Sequence, residues 1–144
     1  MSTSPTRPLP IPTPETQHFW DGALRGELLL QRCDDCAHAY FPPRPFCPRC
    51  SSRSVSVFQA SGRASLYSYV INHRSAPGFT APYAIAVVEL EEGPRLMTNI
   101  VDCPQTPEAL ALDMPLQVKF ERVADHCALP LFAPATTAVQ EVAA

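Results

Sequence analysis

"CDDCAHAYFPPRPFCPRC", residues 33–50, carries four cysteines as two pairs, Cys33/Cys36 and Cys47/Cys50. Two residues separate the cysteines of each pair and ten separate the pairs. A C-x-x-C turn aims both sulfurs at one point, and its backbone N–H groups stabilise thiolate charge. Zn²⁺ takes four such ligands in a tetrahedron. The ten-residue interval is long enough for a short strand pair to bring the second turn opposite the first. The pattern predicts a structural zinc site on a ribbon, with Cys33, Cys36, Cys47 and Cys50 as ligands. Four thiolates leave no open coordination position, so the metal is expected to fold this part of the chain and to do no chemistry. The same spacing suits a rubredoxin-type iron, and sequence does not separate the two metals. His38, two residues past the first pair, is read as a surface or supporting group and not as a ligand. A redox C-x-x-C would open a helix in a βαβ setting, which the flanking sequence lacks.

Upstream, Thr13, Pro14 and Glu15 read as the cap, first position and favourable acid of a helix N-terminus. Phe19, Trp20, Ala23 and Leu24 share one face at helical spacing, and Gly26 ends the run. "ELLLQR" (27–32) predicts a strand into the first pair, "HAYF" (38–41) its return, and "SVSVFQ" (54–59) a strand leaving the second pair. From Ser61 the texture is all β. "GRASLYSYVINH" (62–73) is a long strand, and "HRSAPGFTAP" (73–82) a loop broken by prolines and a glycine. "YAIAVVEL" (83–90) is a nearly continuous apolar run, read as a strand buried on both faces. "EEGP" (91–94) turns into "RLMTNIVD" (95–102). "TPEALAL" (106–112) predicts a short helix capped by Thr106. "PLQVKFERV" (115–123) alternates as a strand, and "ALPLF" (128–132) closes the set. A short helix between the third and fourth of five strands suits an OB-type Greek-key barrel. The expected class is therefore mainly β. Its organisation is a loose Pro-rich start (1–13), a helix (14–26), a zinc ribbon (27–60), a barrel (61–134) and a tail (135–144).

The 144 residues carry a net charge of −3, unevenly spread. Residues 26–75 hold six arginines against three acids, whereas residues 76–144 hold three basic residues against nine acids. Lys119 is the single lysine. Nucleic-acid binders carry a basic excess, so this balance argues against that class. No stretch resembles a secretory signal and no apolar run has the length of a membrane span. The expectation is a cytoplasmic protein with reduced thiols, where paired cysteines mean metal and not disulfides.

Outside the cysteine cage the candidates are weaker. Cys103 and Cys127 lack partners at metal spacing and read as buried small hydrophobes. His126 adjoins Cys127 without an orienting acid. His73 and Arg74 open the broken loop, and loops on a rigid barrel often carry function. That loop is a ligand or partner surface, or a solvated polar loop. Arg44, Arg49, Arg53 and Arg63 lie on or just after the second pair. They suit the phosphates of coenzyme A, a nucleic acid, acids on a partner, or plain solvent. No Gly-rich phosphate loop, catalytic carboxylate pair or serine nucleophile motif is present. The chain does not read as a self-sufficient enzyme.

Several separated pieces together resemble a known family. They are "FWDGALRGELLLQRCDDCAHAYFPPRPFCPRC" (19–50), "SGRASLYSYVINHRSAPGF" (61–79), "PYAIAVVELEEGPRL" (82–96), "MPLQVKF" (114–120) and "LPLF" (129–132). The resemblance is to the rubredoxin-like zinc-ribbon plus OB-fold proteins that accompany thiolases and other acyl-CoA enzymes. It implies an N-terminal helical segment, a zinc ribbon and a C-terminal OB barrel. It also implies complexes that make or break carbon–carbon bonds in acyl-CoA thioesters, with steroid side-chain, aromatic and polyketide-like pathways as settings. The family's metal ligands fall on the same four cysteines; no catalytic residue is carried over. Asp113 departs from the pattern, since relatives often have Gly before the Met-Pro.

The expected function is a non-catalytic accessory subunit that binds a thiolase- or aldolase-like partner. It would also help hold the coenzyme A part of the substrate, with Arg44, Arg49, Arg53, His73 and Arg74 as the candidate coenzyme A or partner surface. Phe19, Trp20 and the 73–83 loop are the candidate protein interface; against that, Trp20 also suits a role pinning the helix to its own barrel. The alternatives are a single-stranded nucleic-acid-binding OB module and an independent CoA-ester binder or small hydrolase. No membrane association is expected.

Overall fold

A computed structural model describes residues 7–135. One helix, α1 (Gln17–Leu24), precedes eight strands. They are β1 (Leu29–Cys33), β2 (Ala39–Tyr40), β3 (Val55–Gln59), β4 (Arg63–Asn72), β5 (Tyr83–Leu90), β6 (Arg95–Asn99), β7 (Pro115–Ala124) and β8 (Cys127–Pro134). A three-stranded antiparallel sheet, β2-β1-β3, forms the ribbon. A five-stranded sheet in the order β6-β5-β4-β7-β8 forms the barrel. The barrel closes where Ile100 meets Phe132 in a parallel bridge and the Val101 N–H donates to the Phe132 carbonyl at 2.8 Å.

Helix α1 begins later than the sequence predicts. Thr16, not Thr13, stands at the N-cap, and it makes no side-chain cap bond. Its hydroxyl instead accepts the Thr13 N–H at 2.9 Å, so residues 13–16 form a separate turn. The C-terminal expectation holds. Gly26 has φ +79°, the Glu27 N–H reaches the Gly22 carbonyl at 2.8 Å and the Gly26 N–H reaches that of Ala23 at 3.1 Å. Those two bonds satisfy carbonyls that the helix end would leave open. Gly22 lets α1 lie against the ribbon, because a Cβ there would stand 2.7 Å from Leu29 Cδ1.

Two expectations in the barrel are corrected. Residues 106–112 form no regular helix. The Leu110 N–H bonds the Thr106 carbonyl at 3.1 Å and the Ala109 N–H meets the Thr106 hydroxyl at 3.3 Å, which makes a single capped turn. Seven residues are too few to repay helix nucleation. The turn is then broken by Asp113, at φ +67°, whose N–H goes to the Leu66 carbonyl at 2.7 Å. Strand β5 is not buried on both faces. Ala84, Ala86, Val88 and Leu90 are buried, while Tyr83, Ile85, Val87 and Glu89 are half-buried. The period of two was hidden because both faces are largely apolar.

Helix, ribbon and barrel share one core. Phe19 of α1, Leu28 and Leu30 at the ribbon base, and Leu66, Val88, Leu116 and Phe132 of the barrel belong to a single buried cluster. The ribbon is thus anchored through β1 while its cysteine turns project away. Residues 7–13 have no regular secondary structure; residues 1–6 of the expected loose start, and all of the expected tail except Ala135, lie outside the described residues.

Candidate functional site

The two cysteine turns repeat one geometry. In the first, the Cys33 N–H donates to the His38 carbonyl and the Ala37 N–H to that of Cys33, both at 2.9 Å. In the second, the Cys47 N–H donates to the Ser52 carbonyl at 2.8 Å and the Ser51 N–H to that of Cys47 at 2.9 Å. Ala37 and Ser51, each just past the second cysteine, have φ +64° and +66°. This left-handed residue turns the chain so that both sulfurs of each pair face inward. The Cys36 N–H then lies 3.4 Å from Cys33 Sγ, and the Arg49 N–H 3.3 Å from Cys47 Sγ.

All four sulfurs lie within 4.8 Å of one another. Cys33 and Cys50 are 3.5 Å apart at sulfur, and Cys36 and Cys47 are 3.7 Å apart. A tetrahedron with Zn–S bonds of about 2.3 Å has edges of roughly 3.8 Å, so the residues present fit the metal. The charges fit as well. At Cys47 burial opposes ionisation, but hydrogen bonds from the Cys50 and Arg49 N–H groups, together with those from the Cys36 and Cys50 thiols, bring the thiol down to about 7. At Cys50 the Ser52 N–H favours the thiolate, but the neighbouring Cys33 sulfur, burial and the other two thiols push it up to about 12. Crowded sulfurs resist sharing negative charge, and a divalent cation at their centre is what lets all four ionise.

His38 stays outside the sulfur cluster and stacks on Tyr40 at 6.1 Å. Sequence reasoning passed over Asp34 and Asp35. Asp35 accepts a short hydrogen bond from the Ser52 hydroxyl, and Asp34 accepts those of Ser56 at 2.7 Å and Ser54 at 3.4 Å. These bonds tie the first turn to the second and to β3. The signal available was an Asp-Asp inside the first pair facing a serine run after the second.

The arginines singled out from sequence do not converge. Arg44 and Arg53 are exposed on the ribbon. Arg49 lines a groove of about 540 Å³ with His38, Glu92 and Gly93, between the second cysteine turn and the β5–β6 hairpin. Arg63 is committed to Glu91 through bonds of 3.0 and 2.8 Å. His73 and Arg74 are exposed beyond the other end of β4. That strand spans ten residues, so Arg63 and Asn72 stand roughly 30 Å apart.

The aromatic candidates do converge. A cleft of about 310 Å³ is lined by Phe19, Trp20, Phe41, Met97 and Leu129, among others. Beside it lies a more polar pocket of about 330 Å³, lined by Phe79, Tyr83, Cys103 and Glu121 among others. Arg7, Asn99 and Leu131 line both. The first helix and the 73–83 loop therefore meet on one face. Phe19, only 3% exposed, is the core anchor, while half-buried Trp20 packs edge-on against it at 5.0 Å and lines the cleft. Met97, 74% exposed on edge strand β6, was missed; its signal was an apolar residue on the outward beat of an alternating strand. Cys127 is buried as expected, and burial pushes its thiol up; Cys103 is only half-buried and lines the second pocket, its thiol pushed up by burial and by the Asp102 charge.

A four-thiolate ribbon sharing its core with an OB barrel defines the class. A family model described as the ChsH2 rubredoxin-like zinc ribbon domain matches residues 20–56, and one described as the ChsH2 C-terminal OB-fold domain matches residues 58–121. The chain belongs to this rubredoxin-like zinc-ribbon plus OB-fold family, whose members include the DUF35 scaffold proteins. It is 37% identical over 99 residues to a DUF35 domain-containing scaffold protein of Methanocaldococcus jannaschii, covering 67% of this chain and 69% of that protein. It is 35% identical over 130 residues to a probable enoyl-CoA hydratase alpha subunit of Thermomonospora curvata. That match takes in 90% of this chain but only 40% of the relative, so the chain spans about two-fifths of that subunit's length. Among solved structures it is similar to a chain of the Ltp2-ChsH2(DUF35) aldolase, with a TM-score of 0.79 and 34% identity over 88% of this chain and 99% of that one.

Proposed function

We propose that the chain is a non-catalytic accessory subunit that docks on an aldolase- or hydratase-type acyl-CoA enzyme and supports carbon–carbon bond chemistry there. The observation that carries this reading is the likeness to a chain of the Ltp2-ChsH2(DUF35) aldolase, which extends over 99% of that chain. The site chemistry supports it. The thiolate shell is closed, and among the described residues no nucleophile stands with a base and an orienting acid. The face holding Trp20 and Met97 offers the apolar and aromatic surface that protein interfaces bury. A thiolase-like fold for the partner belongs to the same proposal. So does a coenzyme A contact, which we assign to His73 and Arg74 because their loop borders this face; Arg44 follows the cleft-lining Pro42 and Pro43 and is the second candidate, while Arg49 and Arg53 line neither cavity of the face. A nucleic-acid role draws no support from the barrel, where Arg63, Arg95 and Lys119 pair with Glu91, Glu89 and Asp102.

The test is co-expression of the tagged chain with an Ltp2-like aldolase or an enoyl-CoA hydratase-type subunit from the same organism, followed by size-exclusion chromatography. Met97→Asp is expected to abolish a complex that the wild type forms while leaving the chain's own Tm unchanged. Arg74→Gln is expected to raise the KM for acyl-CoA of the assembled enzyme. Thioester turnover by the isolated chain, or no complex with such an enzyme, would overturn the reading.

A further inference from the structure

Arg7 stands at the junction of the two cavities on the aromatic face and lines both. Three features hold it there. Its guanidinium lies 4.4 Å over the Phe79 ring, which itself stacks on Tyr83 at 4.8 Å. Its Nη2 is 3.9 Å from the Glu121 carboxylate on β7. Gly78, at φ +79°, lets its backbone approach: a Cβ there would overlap the Arg7 nitrogen and come within 2.7 Å of the Arg7 Cβ. The loop and the N-terminal segment are therefore shaped to touch.

The hold is nonetheless weak. The ion pair is long, and although the Arg7 side chain is only 21% exposed, that of Glu121 is 49% exposed. Contacts of this kind, one exposed ion pair and one cation–π stack, bias a two-state equilibrium by roughly 5- to 30-fold. A contact that bridges the rim between two open cavities without locking it is what a releasable latch requires.

We propose that Arg7 is an autoinhibitory latch across the docking face. Held over Phe79, it stands with Asn99 and Leu131 between the apolar cleft of Trp20 and the pocket of Tyr83. Released, it lets the two join above Asn99 and Leu131 into one trough bounded by β6, β8 and the 73–82 loop. The occupant is an apolar segment of the acyl-CoA enzyme partner, so this inference rests on the docking reading above. The trough walls support an apolar occupant: Phe19, Trp20, Phe41, Met97, Leu129 and Leu131 supply most of the larger side chains on the cleft side. Because the competent state is only a fraction of the population, the latch weakens apparent affinity by that fraction.

Trp20 is the only tryptophan, so its fluorescence reports on the cleft directly. The experiment compares wild type, Arg7→Ala, Arg7→Lys and Glu121→Gln as full chains, each first shown to be folded by circular dichroism. Two readouts need no partner: acrylamide quenching of Trp20 and binding of the neutral dye Nile red. Arg7→Ala is expected to raise the quenching constant and to tighten Nile red by roughly 5- to 30-fold. Glu121→Gln is expected to fall between, and Arg7→Lys to stay near wild type. Unchanged quenching and dye binding in a folded Arg7→Ala protein would overturn the latch. A third arm measures complex formation with the aldolase- or hydratase-type enzyme of the docking test. Tighter binding by Arg7→Ala supports autoinhibition; weaker binding overturns it by making Arg7 an interface contact. If the cleft opens but no variant or wild type binds that enzyme, the docking reading has failed and the occupant with it.

Discussion

Removing the metal should loosen the ribbon and weaken the barrel without unfolding it. Structural zinc binds zinc-finger peptides with an apparent free energy of about 10–16 kcal/mol, comparable to the whole stability of a small domain. The cysteine turns have little else to hold them. Cys50 is exposed, and the two turns are otherwise tied by the Asp34 and Asp35 bonds to serines. The ribbon base differs: Leu28 is 2% exposed and Leu30 is 0% exposed, both in the shared core. Fully burying a leucine contributes about 1.5–3 kcal/mol, so loss of β1 from the core would remove roughly 3–6 kcal/mol from the barrel. Chelation should therefore raise amide hydrogen exchange first in residues 33–54. In urea, the barrel transition should move to lower denaturant, with an unfolding free energy reduced by up to that amount and elemental analysis confirming metal loss. Exchange in the cysteine turns that stays slow after complete metal removal would refute the structural role. A barrel transition that does not move would refute the shared core. Elemental analysis of the untreated protein should find one zinc and no iron, and a red protein would reverse that choice.

Three further outcomes follow from the geometry. Cys36→Ser should lose the metal and with it solubility; a variant that kept fold and partner but lost turnover would make the metal catalytic. Asp113→Gly should raise stability by about 0.5–1 kcal/mol by urea unfolding, because φ +67° strains a residue with a Cβ while the bond to Leu66 is a backbone one. Glu91 is held below its ordinary 4.5 by hydrogen bonds from Arg63 and Ser61 and by the Arg63 charge. Its folded value lies below the unfolded one, so the stabilisation is present above 4.5 and fades as pH falls through the folded value. The stability gap between wild type and Arg63→Gln should be largest near neutrality and close at low pH; a gap that widens in acid would contradict this pairing.

Much of the fold was legible because its signals are local. Cysteine spacing specifies the ribbon, Gly26 ends the helix through its own φ, and "EEGP" turns a hairpin through its own residues. Signals failed where the decisive contact is distant. Residues 106–112 carry a cap and helix formers, yet the Asp113 N–H is drawn to Leu66 on another strand, and the segment remains one turn. In "YAIAVVEL" both sets of side chains are largely apolar, so only the closed barrel distinguishes the inner from the outer. At the candidate site the metal ligands could be named from spacing alone. The arginines could not be sorted, because Arg63 spends its charge on Glu91, some 28 positions away.

Chain-local chemistry was enough for the metal cage, the order of the strands and the ribbon-plus-barrel class. Thiolate spacing, turn residues and alternation act within a few residues and survive reading in one dimension. The proposed docking face was different. It is made of Trp20 on the helix, Met97 on an edge strand, Phe79 on a loop and Arg7 from the N-terminal segment. These positions span about ninety residues, and closure of the barrel brings them together. Which of two adjacent aromatics is buried, and which stays half-buried beside a cleft, depends on packing that no local pattern encodes.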